Sequence, residues 1–375
     1  VGFTLAEMAD IGERMLRDIG LTSDFARLVL FLGHASSSVN NPHKSAYDCG
    51  ACTRPGGANA RAIASILNDI RVRTTLAQRG LQIPPDTYFL GGQHDTCDDS
   101  ITFSDLDLLP VSHFDDFELA NESLKVACER NSHERCRLFE IPTATFSFAE
   151  AKSHSERRAQ DLSQARAEYG NATNAMCIVA RRSRTRGLFL DRRAFLMSYD
   201  PTQDDDEQTI LARILNAVMP VCEGINMQYF LSHVDPQGWG CGSKLPHNVV
   251  SLLGVMNGAS SDLLPGLPWQ GVEIHEPMRC LFVVETTAEA MFRIMDRNPV
   301  VGKLVRNGWV TLSILDPTSS RVRFFAGGDF RDYQPESPTL PQVDSSADWY
   351  SGRRGRMTFA EIRPIGESSP TAMRL

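Results

Sequence analysis

The chain has 375 residues, of which 42% are hydrophobic and 22% charged, and its net charge is −8 at pH 7. This composition is typical of a globular protein with two or three domains, and the negative charge argues against general binding to nucleic acid. Its nine cysteines are odd in number and irregularly spaced, which argues against a disulfide framework and favours a reducing compartment.

The amino-terminal part of the chain begins with a predicted helix and a predicted buried strand. Residues 5–20 show helical apolar spacing and end at a glycine, and residues 26–33 form the short continuous apolar run of a strand buried on both faces. This strand leads into a polar stretch over 34–57, after which a helix is predicted over 59–73. Such an order predicts an open α/β sheet, in which ligands bind at the carboxyl ends of the strands.

The remainder of the chain alternates further predicted strands and helices. They are a strand over 87–91, a charge-rich helix over 148–169, strands over 176–184 and 195–201, an amphipathic helix over 208–220 and a buried strand over 281–284. No apolar run approaches the roughly 20 residues that span a bilayer, so we expect any work at a membrane to need another polypeptide. We expect an α/β domain over 1–147, a second α/β region over 148–334 and a surface tail over 335–375.

The polar stretch after the first strand holds more soft metal-ligand groups than any other part of the sequence. They are His34, His43, Cys49 and Cys52. Zinc is held by four ligands drawn from thiolates, imidazoles and carboxylates, and a helix beginning near Ala58 would point its positive dipole end toward a thiolate or a bound anion. A histidine at a strand end is also a common structural residue, and a free cysteine is commonly just buried. The Cys49–Cys52 pair is compatible too with a CxxC redox pair or with half of a structural zinc knuckle.

This stretch, GHASSSVNNPHKSAYDCGAC over 33–52, resembles a loop of the DabA family, in which GHGSSSVNNPH is followed by DCGAC. The resemblance continues through most of the chain and corresponds to the carboxy-terminal half of that family's proteins. Its other blocks are HDTCDD (94–99), RRAFLMSYDP (192–201), the Gly- and Pro-rich stretch 240–279 and NGWVTLSILDP (307–317). Because the blocks occur in one order along the chain, the resemblance is specific.

The resemblance implies a zinc site that this chain supplies only in part. By the family pattern the zinc ligands here are His34 and Cys49, while Cys52 belongs to the motif but not to the ligand set. Polar groups of the same loop are implied to shape it or to face a bound anion: Ser36, Ser37, Ser38, Asn40 and Asn41. The family's other ligands are a Cys and an Asp in a CxD pattern, followed by Arg, on a strand upstream of this sequence. The tripeptide at 97–99 has the same spelling but lies after the histidine motif and lacks the Arg, so we interpret it as a coincidence.

The resemblance further implies a fold and an activity. The fold would be an open, mostly parallel sheet like that of the β-type carbonic anhydrases, with an additional α+β region. The activity would be hydration of CO2 to bicarbonate at Zn2+, in a peripheral subunit on the cytoplasmic face of the inner membrane. A DabB-like membrane subunit that conducts protons or sodium ions would couple this reaction to an ion gradient, and catalysis would require the upstream CxD ligands. The alternatives are a non-catalytic scaffold with a structural zinc and a CxxC redox protein.

Overall fold

The computed structural model describes residues 2–37, 39, 54–139, 143–161, 172–240, 248–251, 254–256, 269–337 and 339–363. Within these residues the protein is mixed α/β, with four sheets connected by helices. One small sheet carries His34, and a larger, mostly parallel sheet lies later in the chain.

The first helix, α1 (Leu5–Asp18), confirms the predicted helix. Thr4 and Glu7 form a capping box, in which each side chain accepts a hydrogen bond from the backbone N–H of the other residue. The helix ends before Gly20, whose φ of +74° is a left-handed conformation that glycine adopts at little cost. The chain then enters β1 (Leu28–Ala35), the strand that carries His34 near its end.

The helix predicted over 59–73 is two helices in the structure, α2 (Gly57–Asn68) and α3 (Ile70–Gln78). Asp69 leaves the helical conformation and caps α3, because its carboxylate accepts a hydrogen bond from the backbone N–H of Arg71 at 2.8 Å. Together with α1, the two helices enclose a core of leucine, isoleucine and valine side chains against the sheet.

β1 belongs to a sheet with the order β1–β2–β3, in which β2 covers Tyr88–Asp95 and β3 covers Ser100–Phe103. β1 and β2 are parallel, and β3 is antiparallel to β2. The sequence predicts that β1 is buried on both faces, but most of its side chains are only half-buried. That prediction is wrong for this chain, and in the described part of the molecule no strand pairs with the outer edge of β1 either.

Two helices follow this sheet. The sequence does not predict α4 (Phe114–Leu138), because its polar and apolar residues are poorly segregated between the faces of the helix. α5 (Phe148–Ala159) confirms the first part of the charge-rich helix predicted over 148–169, and Ser147 and Glu150 form its capping box. The part of that prediction from residue 162 onward lies outside the described residues.

The next strands are β4 (Met176–Ala180), β5 (Leu188–Phe189) and β6 (Ala194–Ser198), of which β4 and β6 confirm two predicted strands. Helix α6 (Thr209–Val234) follows them. The sequence predicts only its first half, since a proline commonly ends a helix, but α6 continues through Pro220.

Among the helices in the described ranges, α6 alone is long and apolar enough to cross a bilayer by length and composition. Its sequence contains no uninterrupted apolar run of that length, because Arg213 and Glu223 lie within it. One side of α6, with Leu211, Leu215 and Met219, is buried in the core of the large sheet. A helix packed inside a protein core meets the same criteria of length and composition, so this feature is weak evidence for a membrane span.

The remaining elements complete the large sheet and the small sheet that contains β5, and the first two of them form a two-stranded sheet of their own. In order they are β7 (Asn248–Ser251), β8 (Gly254–Met256), α7 (Trp269–Val272), β9 (Leu281–Glu285), α8 (Ala288–Arg297), α9 (Pro299–Arg306), β10 (Thr311–Leu315), β11 (Val322–Ala326), β12 (Asp329–Asp332), β13 (Gln342–Val343), α10 (Ser346–Tyr350) and β14 (Ala360–Ile362). The large sheet has the order β12–β11–β10–β9–β4–β6, in which β10, β9, β4 and β6 run parallel. β9 confirms the predicted buried strand. The mostly parallel sheet is therefore formed by the later region, not by the sheet that carries His34.

Part of the segment predicted as a surface tail forms a third sheet, with the order β13–β14–β5. Tyr350 of α10 is buried, and its hydroxyl lies 2.6 Å from Nδ1 of His133 on α4. This contact joins the end of the described chain to the helix that follows the first sheet. The predicted domain boundaries at 147/148 and 334/335 stay predictions.

Candidate functional site

The candidate site lies at the carboxyl end of the parallel strands β1 and β2. Their register pairs His34 with His94 and Ala35 with Asp95. Paired positions on parallel strands direct their side chains to the same face of the sheet, so the two histidines are neighbours on one face. His34 is exposed to solvent, and His94 is half-buried.

Helix α2 begins directly beside His34. The backbone N–H of Gly56 donates a hydrogen bond to the backbone oxygen of His34 at 2.6 Å. This approach requires glycine at position 33, because a Cβ atom there would lie 2.1 Å from the carbonyl carbon of Gly56. The first turn of α2 is thus fixed at the carboxyl end of β1, next to the candidate ligand. Its N–H groups have no acceptor within the helix.

The loop after β2 contacts His34 from the neighbouring strand. Nε2 of the His34 imidazole lies 3.2 Å from the hydroxyl oxygen of Thr96. The backbone N–H of Thr96 in turn donates to the backbone oxygen of Ala35 at 2.9 Å, which extends the pairing of the strands by one residue. The orientation of the His34 ring therefore depends on where this loop is held.

Asp95 ties the two strand ends together. Its carboxylate accepts hydrogen bonds from the backbone N–H of Ser37 at 3.1 Å and of Cys97 at 2.9 Å, and also from the Ser37 hydroxyl. Ser36 is fully buried, and its hydroxyl oxygen lies 3.5 Å from the Cys97 sulfur. The resemblance leaves open whether these serines shape the loop or face a bound anion. Their contacts support the first role, because both side chains are engaged within the loop.

Asp99 is a buried carboxylate with four side-chain partners. Its Oδ1 lies 3.2 Å from Nε2 of His94 and accepts a hydrogen bond from Asn131 at 2.6 Å. Its Oδ2 accepts one from Ser132 at 2.7 Å and lies 3.2 Å from the Arg135 guanidinium. Burial raises the pKa of Asp99, but the hydrogen bond with His94, the Arg135 charge and the Ser132 hydrogen bond together lower it to about 2. The carboxylate is therefore ionised at neutral pH and engaged on both oxygens.

The Cys-x-Asp tripeptide at 97–99 forms no metal site in the described part of the molecule. Cys97 is buried against Ser36, and both oxygens of Asp99 already have partners. Across the ranges that the structure describes, no group of three or more His, Cys, Asp or Glu side chains is arranged to hold a metal ion. The interpretation of this tripeptide as a coincidence stays a prediction.

Helix α4 holds the loop in place, a role that the sequence does not predict. Arg135 is buried, and it donates hydrogen bonds to the backbone oxygens of Thr96 and of Cys97, the latter at 2.7 Å. Asn131 and Arg135 lie one helical turn apart, so both reach the same loop. That spacing is the one available signal in the sequence, and it has meaning only once the segment is known to be helical.

Comparison with known proteins identifies the family. A family model described as "Probable inorganic carbon transporter subunit DabA" matches residues 1–310. The chain belongs to the DabA family. The family resemblance carried by the loop at 33–52 is thereby confirmed.

Curated members of the DabA family are similar to the chain over nearly its whole length. Probable inorganic carbon transporter subunit DabA 2 of Rhodopirellula baltica is 48% identical over 99% of this chain and 35% of its own length. The DabA of a Parafrankia species is 46% identical over 100% of this chain and 34% of its own length. DabA 2 of Sorangium cellulosum is 50% identical over 96% of this chain and 36% of its own length. The chain thus spans about a third of the length of these relatives, and no solved structure matches it.

The structure describes one of the two residues that the sequence resemblance implies as zinc ligands. His34 lies at the end of β1, whereas Cys49 lies outside the described residues. Other predicted loop residues also lie outside them: Ser38, Asn40, Asn41, His43 and Cys52. The assignment of His34 and Cys49 as a ligand pair therefore stays a prediction.

Proposed function

We propose that this chain forms part of the zinc-binding subunit of a membrane-associated inorganic carbon uptake complex. In this proposal His34 and Cys49 are two ligands of a carbonic-anhydrase-like site that hydrates CO2 to bicarbonate. The observation that carries the proposal is the position of His34, exposed at the carboxyl end of a parallel strand inside the family's motif. Zinc, when bound, supplies the Lewis acidity that makes water nucleophilic near neutral pH.

The side chains around His34 suit a site that is completed from elsewhere. An exposed imidazole on a fixed strand end is a good zinc ligand, and a thiolate at Cys49 would be a second. The nearby carboxylates of Asp95 and Asp99 are already engaged by hydrogen bonds, so they are poor candidates for the other positions. We therefore infer that a Cys and an Asp of a CxD pattern, in a segment outside this chain, complete the ligand set.

Such a segment would bind at the outer edge of β1, with which no strand of the described ranges pairs. A cavity of about 700 Å³ lies along it, lined mainly by apolar side chains of β1, α1 and α2 such as Phe31, Leu32, Met15 and Ile63. A strand added here in parallel would bury the half-exposed side of β1 and end at the same sheet edge as His34. The extended sheet would then be of the β-carbonic-anhydrase-like type that the sequence predicts.

The residues of this chain would also favour the product of the reaction. Hydration of CO2 adds the oxygen of water to the carbon, gives bicarbonate and releases one proton. The first turn of α2, beside His34, offers backbone N–H groups and the positive end of a helix dipole to an anion. The hydrogen bonds of Asp95, Asp99 and Arg135 keep the neighbouring loop rigid, which lowers the cost of binding an anion there.

The uptake complex needs a membrane component, and the relatives are named as subunits of a transporter. We propose that the chain works on the cytoplasmic face of the inner membrane beside a DabB-like subunit that conducts protons or sodium ions. Coupling to the ion gradient would make hydration one-way, so that bicarbonate accumulates in the cell.

The test uses the full-length protein that contains this chain, produced together with its membrane subunit. His34→Gln is compared with His154→Gln as the control, because His154 lies on α5 and its Nε2 has no hydrogen-bond partner among the residues that the structure describes. Zinc per protein, exchange of oxygen-18 from labelled CO2 into water, and growth at air levels of CO2 are measured. We expect His34→Gln to lose all three and His154→Gln to keep them.

Other outcomes would overturn the proposed site or indicate a different function. Full zinc content in His34→Gln would remove this residue from the ligand set and overturn the proposed site. Loss of zinc with unchanged oxygen exchange and growth would indicate a structural metal in a scaffold. A zinc-free wild-type protein whose activity depends on thiol reduction would indicate a CxxC redox protein instead.

A further inference from the structure

Exposed apolar side chains are concentrated in one segment that the proposed site does not use. The segment covers residues 106–126, the turns before α4 and the first half of that helix, and we call it the apolar arm. Its exposed large apolar residues are Leu106, Leu108, Val111, Phe114, Leu119 and Val126. Val111 is 80% exposed, Leu119 73% and Leu108 65%, although leaving such side chains in water is unfavourable.

The helical part of the arm is seated on the sheet by one side only. Phe117 packs edge-to-face on Phe103 of β3, with ring centroids 5.2 Å apart. Leu119 and Val126 are seven residues apart, so they form one stripe along the helix, and both are exposed. The arm therefore presents an apolar stripe that nothing in the described part of the chain covers.

The arm is also held in a fixed position. The Tyr88 hydroxyl donates a hydrogen bond to the backbone oxygen of Leu108 at 3.2 Å, and Nε2 of His113 lies 2.7 Å from the backbone oxygen of Asp86. A surface that is ordered before binding loses little conformational entropy when a partner covers it. These contacts favour a preformed docking surface over a loose loop.

The charges of the arm select among partners. Its acidic residues outnumber its single lysine, Lys125, and they are Asp107, Asp115, Asp116, Glu118 and Glu122. Two arms from two copies would place carboxylates against carboxylates, and an anionic lipid surface would be repelled in the same way. The arm therefore fits a segment that is both apolar and basic.

We infer that the apolar arm is covered by a basic, amphipathic segment of the same full-length polypeptide, from the part that lies outside this chain. The relatives carry about two thirds of their length outside the matched span. A segment tethered to the arm acts at an effective concentration of the order of millimolar, so it outcompetes an equally complementary separate protein. This contact is separate from the edge of β1 and does not depend on a metal.

The experiment places a photo-activated cross-linking amino acid at Leu119 in the full-length protein, produced with its membrane subunit. The matched control carries the same amino acid at Ile70, an apolar residue of α3 that is also 73% exposed. We expect Leu119 to cross-link within one polypeptide to a peptide from outside these 375 residues, and Ile70 not to do so. A cross-link to a second copy, to the membrane subunit, or to nothing would overturn the inference.

A charge reversal tests the chemistry of the partner separately. Glu118→Lys on the arm should lower the yield of the Leu119 cross-link about threefold, the size expected for a partly exposed ion pair. Glu336→Lys, an exposed site far along the chain, should leave the yield unchanged. An unchanged or increased yield with Glu118→Lys would show that the covering segment is not basic, and would overturn that part of the inference.

Discussion

His34 and His94 occupy paired positions on the parallel strands β1 and β2, so their imidazoles leave the same face of the sheet side by side. One loop orients both rings. The Thr96 hydroxyl lies at hydrogen-bond distance from the His34 ring, and the Asp99 carboxylate lies at hydrogen-bond distance from the His94 ring. The geometry at the candidate ligand therefore depends on the residues that hold this loop, and above all on the buried Asp99.

Cys49→Ser is expected to remove most of the zinc from the full-length protein, whereas Cys52→Ser should leave it in place. Replacing a ligand thiolate by a hydroxyl removes a soft donor from the metal, so zinc affinity falls strongly. Replacing a residue beside the ligands lowers zinc affinity only modestly. Zinc per protein after desalting and growth at air levels of CO2 measure the difference. Equal losses in the two variants would point to a CxxC metal or redox unit.

The 375 residues produced alone are expected to hold zinc weakly and to show no hydration of CO2. Two ligands do not close a tetrahedral site, and affinity rises steeply with each further correctly placed ligand. Dialysis against a mild chelator, followed by metal analysis and a hydration assay, checks this. Stoichiometric zinc that survives dialysis would mean that all the ligands lie within this chain.

Leu32→Lys is expected to change the unfolding free energy of the isolated chain by less than about 1 kcal/mol, because Leu32 is exposed at the open edge of β1. In the full-length protein the same change should strongly reduce bound zinc, since the added strand would bury an unpaired charge. Ile70→Lys, at an exposed apolar residue outside this cavity, is the control. If both variants keep their zinc, no strand is added at this edge.

Asp99→Asn is expected to destabilise the chain by about 3 kcal/mol at pH 7, because it leaves the buried Arg135 without its carboxylate. The folded pKa of about 2 lies below the ordinary value of 3.8, so the ionised group stabilises the fold above about pH 4, and this contribution is lost as the pH falls toward 2. Urea unfolding at several pH values should show the difference from wild type shrinking below pH 4. Asp107→Asn, at an exposed carboxylate, should change stability little at pH 7.

Gly33→Ala is expected to cost about 2–3 kcal/mol of unfolding free energy, since its Cβ would meet the backbone of Gly56 rather than a movable side chain. Gly224 lies in the middle of α6 on its exposed side, with nothing within 4 Å of an added Cβ atom. Gly224→Ala should therefore stabilise the chain by about 0.5–1 kcal/mol, because alanine favours the helix more than glycine does. Thermal or urea unfolding of the two variants measures these opposite effects. Equal stability of Gly33→Ala and wild type would show that α2 moves away easily.

Elements that depend on contiguous residues could be predicted from the sequence. Apolar spacing and a glycine stop were enough for α1, continuous apolar runs for β1 and β9, and the wording of the loop at 33–52 for the family. The break at Asp69 and the continuation of α6 through Pro220 were missed. In both cases a local preference competes with packing, which the spacing of residues does not reveal.

The amino-acid sequence by itself determined the family, the His34 and Cys49 motif positions and most of the element order, because these features depend on residues that are close together in the sequence. Tertiary structure alone decided that His34 pairs with His94, that Asp99 is held by Ser132 and Arg135 of α4, and that no strand in the described ranges pairs with the outer edge of β1. Those relationships join residues more than thirty positions apart, or depend on which strands are present to pair. No periodicity in one segment encodes them, because they arise only when separate segments are buried against each other.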